Sequence, residues 1–66
     1  MPVRYTIRDV LRLLANDGWS LREQTGSHRQ FTHALKRGRV TVAGKPGDTL
    51  HPKTARSIFR QAQITP

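Results

Sequence analysis

Apolar positions along the chain keep a helical period, then a strand-like one, then a helical one again. Ile7, Val10, Leu11 and Leu14 fall at i, i+3, i+4 and i+7, the spacing of one buried helix face. Thr6 stands where an N-cap is needed, with Asp9 three positions on, a pairing suited to bond two backbone N–H groups at a helix start. Gly18 supplies a stop. From Trp19 to Thr25 the period shortens, with Trp19 and Leu21 on one side and Ser20 and Arg22 on the other. Gly26-Ser27 makes a turn, and a second strand is expected from His28 to His33. Lys36-Arg37-Gly38 reads as a hairpin connection, and Arg39 to Ala43 alternates cleanly as a third strand.

Gly44 to His51 carries two glycines, Pro46 and Asp48, and reads as a loop. Pro52 suits the first turn of a helix, where its missing N–H is not needed. Ala55, Ile58, Phe59 and Ala62 then repeat the helical spacing, with Lys53, Arg56 and Arg60 on the opposite face. The expected fold is α+β in the order α-β-β-β-α, as one domain over residues 1–66. A three-stranded antiparallel sheet with both helices on one face buries the most apolar area this pattern offers.

Strand alternation then assigns the faces. With Phe31 inward, His28, Gln30 and Thr32 point outward; with Val40 and Val42 inward, Arg39, Thr41 and Ala43 join them. The open face thus gathers an imidazole, an amide, two hydroxyls and a guanidinium, a surface suited to a phosphodiester.

Charge sharpens this reading. Twelve Lys and Arg, nine of them arginine, oppose four Asp and Glu, for a net charge of +8. Such an excess attracts polyanions and makes their binding salt-dependent. Nucleic acid is the first candidate, although an acidic protein satisfies the same field. Arg4, Arg8 and Arg12, recurring every four residues beside the first apolar stripe, read as a solvated face. With 66 residues the core is thin and any site is shallow. Cysteine is absent, which excludes disulfides and thiolate ligands. No apolar stretch has the length of a signal peptide or a membrane span, so a cytoplasmic protein is the expectation.

Few residues are equipped for chemistry. No metal site and no cofactor is expected: His28 and His33 lie five apart on one strand, facing opposite sides, and no carboxylate spacing completes a three-ligand set. No glycine-rich loop with a lysine leads from strand to helix, so nucleotide binding has no motif. Ser27 adjoins His28, but neighbours on a strand point apart, which argues against a serine–histidine pair. His28 remains the best candidate, since imidazole takes up and returns a proton near neutral pH. By spacing alone, an ordinary exposed strand histidine looks the same. His33 is expected to pack or end its strand, and His51 to precede the last helix.

Gly26-Ser27-His28-Arg29-Gln30-Phe31 resembles the G-S-H-x-x-[F/Y] signature of HicA toxins, followed here too by a basic hairpin and a Val-Thr-Val strand. Leu14 to Trp19 is similar to that family's LxxDGW segment, and Thr54 to Ala62 to its last helix. The likeness runs co-linearly through nearly the whole chain. It implies a fold like a double-stranded-RNA-binding domain, metal-independent cleavage of mRNA by a single catalytic histidine, His28, and a HicB antitoxin partner that covers the active face. Two positions depart from the family pattern: Arg29 stands where many members have a second histidine, and Ala43-Gly44-Lys45-Pro46-Gly47 replaces a loop that often carries Pro-His and lysines.

A non-catalytic RNA-binding module of the same fold is the main rival. Such domains hold phosphates with basic residues at the start of the last helix, where Lys53 and Arg56 stand. Gln30, Arg39 and Lys45 complete the set of candidate RNA contacts. A basic subunit that serves only an acidic protein partner is the third reading.

Overall fold

In the computed structural model, which describes residues 4–65, both helical periods and all three strands form in the expected order. Helix α1 spans Ile7–Asp17, strands β1, β2 and β3 span Trp19–Thr25, His28–His33 and Val40–Ala43, and helix α2 spans Pro52–Ala62. Thr6 and Asp9 form the capping box: Asp9 N–H donates to Thr6 Oγ1 at 3.1 Å, and Thr6 N–H to Asp9 Oδ2 at 2.9 Å. These bonds hold the Asp9 carboxyl below its ordinary pKa, the backbone N–H of Thr6 contributing most. Gly18 ends α1 at φ 98°, a left-handed conformation that costs an L side chain about 1–2 kcal/mol.

The sheet is antiparallel in the order β1-β2-β3, with β2 central. Phe31 pairs with Val40 and Arg29 with Val42, which fixes one face of β2 and β3 toward the helices. On that face Phe31, Val40 and Val42 join Ile7, Val10 and Leu14 of α1 and Ala55, Ile58, Phe59 and Ala62 of α2 in a single core. Both helices therefore cover the same side, and the other side of the sheet is open. Leu21 shares the inner face with Phe31, its cross-strand partner, yet stays 52% exposed on the edge strand β1.

The loop after β3 is less free than its glycines and proline suggest. Ile7 N–H donates to the Asp48 carbonyl and Arg8 N–H to that of Pro46, both at 2.9 Å, so the loop fills the bonds that the first turn of α1 cannot make internally. Leu50 N–H returns a bond to the Tyr5 carbonyl at 2.8 Å, and Leu50 is buried in the core. Helix α2 starts after His51, whose Nδ1 accepts from Lys53 N–H at 3.1 Å. It ends with Gln63 in a left-handed conformation and Ile64 N–H bonded to the Phe59 carbonyl, which folds Ile64 back onto the core.

Candidate active site

His28 opens β2 directly after the two-residue turn Gly26-Ser27. Gly26 has φ 59° and Ser27 does not enter the left-handed region, the pattern of a II′ hairpin turn, which matches the twist of the strands it joins. That turn makes Thr25 and His28 direct cross-strand partners, and on the other flank His28 pairs with Ala43 of β3. Gly44 N–H donates to the Ser27 carbonyl at 3.2 Å, tying the exit of β3 to the same turn. His28 is exposed on the open face, and its imidazole makes no hydrogen bond to another described residue.

Arg29 faces the other way, paired with Val42, as strand alternation requires. Its guanidinium donates to the Gly44 carbonyl at 2.8 Å and so pins the start of the loop that leaves β3 beside His28. A side chain that fastens a loop from behind the sheet leaves the imidazole unobstructed.

Gln30 lies two residues along β2 on the same face, between Glu23 of β1 and Thr41 of β3. Arg39 Nη1 donates to Gln30 Oε1 at 3.1 Å, which joins a fixed positive charge to the face. With its oxygen engaged, Gln30 keeps two amide N–H groups that make no hydrogen bond to another described residue. Glu23, Thr25, His28 and Gln30 together line a shallow depression of about 390 Å³.

Glu23 and Thr25 do not follow from alternation counted from Trp19, which assigns Ser20 and Arg22 to the open face and Glu23 to the other. A β-bulge between Leu21 and Glu23 resets the count: Leu21 still pairs with Phe31, but Glu23 pairs with Gln30 and Thr25 with His28. An extra residue in one strand shifts every later side chain to the opposite face. The signal was present in the turn. A two-residue hairpin loop makes Thr25 and His28 partners, so counting back from His28 puts Thr25 and Glu23 on its face and conflicts with the count from Trp19.

The remaining candidates are dispersed. Lys45 is exposed in the loop, two residues past Ala43, with its backbone held in a turn by Asp48 Oδ2 at 3.0 Å; it does not line the depression. Lys53 and Arg56 are exposed on α2, in the helical layer behind the sheet, and line no part of the depression.

The other two histidines are occupied. His51 caps α2. His33, on the inner face at the far end of β2, accepts at Nδ1 from Leu35 N–H at 2.9 Å and Lys36 N–H at 3.1 Å. Its Nε2 lies 2.6 Å from the Asp17 carbonyl; since Nδ1 accepts, Nε2 carries the proton and donates. Among the described residues no group of three or more His, Cys, Asp or Glu is placed to hold a metal ion.

Over residues 7–64, from the first residue of α1 to just past α2, the chain matches the family model of the HicA toxin of bacterial toxin-antitoxin systems. The chain belongs to the HicA toxin family. A comparison with curated proteins finds no match. As a HicA toxin the chain is the toxin half of a toxin–antitoxin pair. The α-β-β-β-α fold expected from the resemblance is the fold observed. The motif segments also take on physical meaning. In Leu14 to Trp19, Gly18 leaves α1 where a Cβ would meet His33 Nε2 at 2.9 Å, Asp17 accepts from the Trp19 indole N–H at 3.2 Å, and Trp19 packs edge-on against His33 with ring centres 5.2 Å apart. That segment builds the closed end of the molecule, while Gly26-Ser27-His28 builds the open face.

Proposed function

We propose that this HicA toxin is a metal-independent endoribonuclease acting on mRNA, with His28 as its catalytic residue. The reading rests above all on the placement of the histidines: of three imidazoles, only His28 is free of backbone bonds, and it lines the depression on the open sheet face. RNA brings its own nucleophile, the 2′-hydroxyl, so cleavage needs proton transfer and neutralisation of charge on the phosphate more than it needs a cofactor. His28 transfers the proton. Arg39, held by Gln30, and the Gln30 amide face the developing negative charge. Lys45, Lys53 and Arg56 supply further phosphate contacts, and the net charge of +8 draws the strand in. A HicB-type antitoxin silences the toxin by covering the same face.

The test is cleavage of an unstructured RNA by the purified toxin in EDTA, compared with His28→Ala. The variant should keep its Tm, since truncating an exposed side chain shifts stability by no more than about 0.5 kcal/mol. Its rate should fall roughly 10²–10⁴-fold. Loss of cleavage on chelation, restored by a divalent ion, overturns the metal-free mechanism. Cleavage by His28→Ala at the parental rate removes the catalytic role.

A further inference from the structure

The acids of this chain divide as its histidines do. Asp9 is taken up by the capping box, Asp48 Oδ2 accepts from Lys45 N–H at 3.0 Å, and Asp17 holds both Lys36 and the Trp19 indole. Glu23 alone of the four carboxylates has no hydrogen-bond or ion-pair partner among the described residues. It stands beside Arg22 in a chain of net charge +8, yet no basic side chain closes on it. One imidazole and one carboxylate are thus left unengaged, and the bulge at Arg22 puts both at the rim of the same depression.

We propose that Glu23 is a second catalytic residue of this toxin, the base that takes the proton from the RNA 2′-hydroxyl while His28 acts as the acid. The assignment rests on the endoribonuclease reading above and divides its chemistry between two groups. Because Thr25 opposes His28 and Glu23 opposes Gln30, Glu23 and His28 are diagonal neighbours, roughly 7–8 Å apart at the backbone in an antiparallel sheet. Long side chains at that separation reach a phosphodiester lying between them.

The reaction needs both positions. As the O2′–P bond forms, the proton on O2′ leaves to the Glu23 carboxylate. As the P–O5′ bond breaks, the His28 imidazolium gives a proton to O5′. The products are a 2′,3′-cyclic phosphate and a free 5′-hydroxyl; one proton is taken and one returned, and the two side chains reset through solvent. Attacking and leaving oxygens lie on opposite sides of phosphorus, so groups on two strands serve them better than one imidazole. On the face of Glu23 the strand pairing places His28 of β2, Arg39 reaches that face from just before β3 through its bond to Gln30, and Arg22 adjoins Glu23 at the bulge; the helices lie behind the sheet.

The experiment measures kcat, KM and their pH profiles for the full chain and for Glu23→Gln, Glu23→Asp and His28→Ala, with Tm as a check on folding. Two substrates are used: an unstructured RNA oligonucleotide, and a ribonucleoside 3′-nitrophenyl phosphate, whose leaving group departs without an acid. Parental cleavage of RNA should be bell-shaped with pH. Glu23→Gln should lower kcat by roughly 10²–10³-fold without raising KM and should abolish the acidic limb, and Glu23→Asp should restore part of the rate. On the nitrophenyl substrate the deficit of His28→Ala should shrink while that of Glu23→Gln persists. If Glu23→Gln keeps the parental kcat and pH profile while His28→Ala is inactive, the Glu23 assignment falls and the His28 reading stands. If the parental chain cleaves no RNA, or His28→Ala cleaves normally, the endoribonuclease reading itself falls.

Discussion

The two ends of β2 show one residue type put to opposite uses. At its end His33 lies on the inner face, where three backbone groups use up both ring nitrogens and Trp19 packs against the ring. At its start His28 lies on the open face with no bond of its own and a depression in front of it. The regions around them differ in the same sense. Near His33, Lys36 Nζ reaches Asp17 Oδ2 at 2.6 Å and the Ala62 and Gln63 carbonyls at 3.1 Å, so one ammonium ties the ends of both helices to the β2–β3 connection. A cation at two helix C-termini is well placed against their dipoles. Around His28 the backbone is firm, held by a tight turn and by Arg29 from behind, but the polar side chains point into solvent. Polar groups in the closed region are consumed by the fold, whereas on the open face the His28 imidazole and the Glu23 carboxylate have no partner among the described residues.

Breaking the closed region should therefore cost stability rather than turnover. Gly18→Ala forces a left-handed conformation on an L residue and drives its Cβ to within 2.9 Å of a histidine ring that three bonds hold in place. The expected loss is roughly 1–3 kcal/mol. His33→Ala should cost a similar amount, about 1–3 kcal/mol, by leaving the Asp17 carbonyl and two N–H groups without their partner. Urea denaturation measures both losses. Below the unfolding transition each variant should cleave RNA at the parental rate per folded molecule, and a selective fall in kcat would erase the contrast with His28.

Acid sharpens the same comparison. Asp17 is held below its ordinary pKa, first by the Lys36 hydrogen bond, and Asp9 by the Thr6 N–H. A carboxyl whose folded pKa lies below its unfolded value stabilises the fold fully above that unfolded value, near 4, and loses this contribution as pH falls through the folded value. Tm should thus hold steady above about pH 5 and drop below about pH 4. Asp17→Asn should start from a lower Tm at neutral pH and show a shallower acid decline. An acid decline identical to that of the parent would mean that the Lys36–Asp17 pair adds nothing.

The smallest effect is expected where site and surface are farthest apart. Charge reversal at Lys53 and Arg56, on exposed α2, should weaken RNA binding mildly and reduce the log–log salt slope by about one for each phosphate no longer neutralised. An unchanged slope would assign both to the solvated face of the helix and confine RNA to the open sheet face.

Local periodicity alone determined much of this protein. The spacing of Ile7, Val10 and Leu14, the Thr6–Asp9 cap, the alternation through Phe31, Val40 and Val42, and Pro52 before the second apolar stripe specify elements and faces through contacts a few residues long. The outward aim of His28, Gln30 and Arg39 follows from the same alternation, so half of the candidate site was legible. The other half depended on pairing. The bulge at Arg22 is a mismatch between two strands, and only their register moves Glu23 and Thr25 to the face of His28. The anchoring of residues 46 and 48 on α1, and the hold of Lys36 on Asp17, Ala62 and Gln63, join positions distant in the chain. Which polar groups the fold consumes, and which it leaves to act, was therefore decided only when those distant partners met.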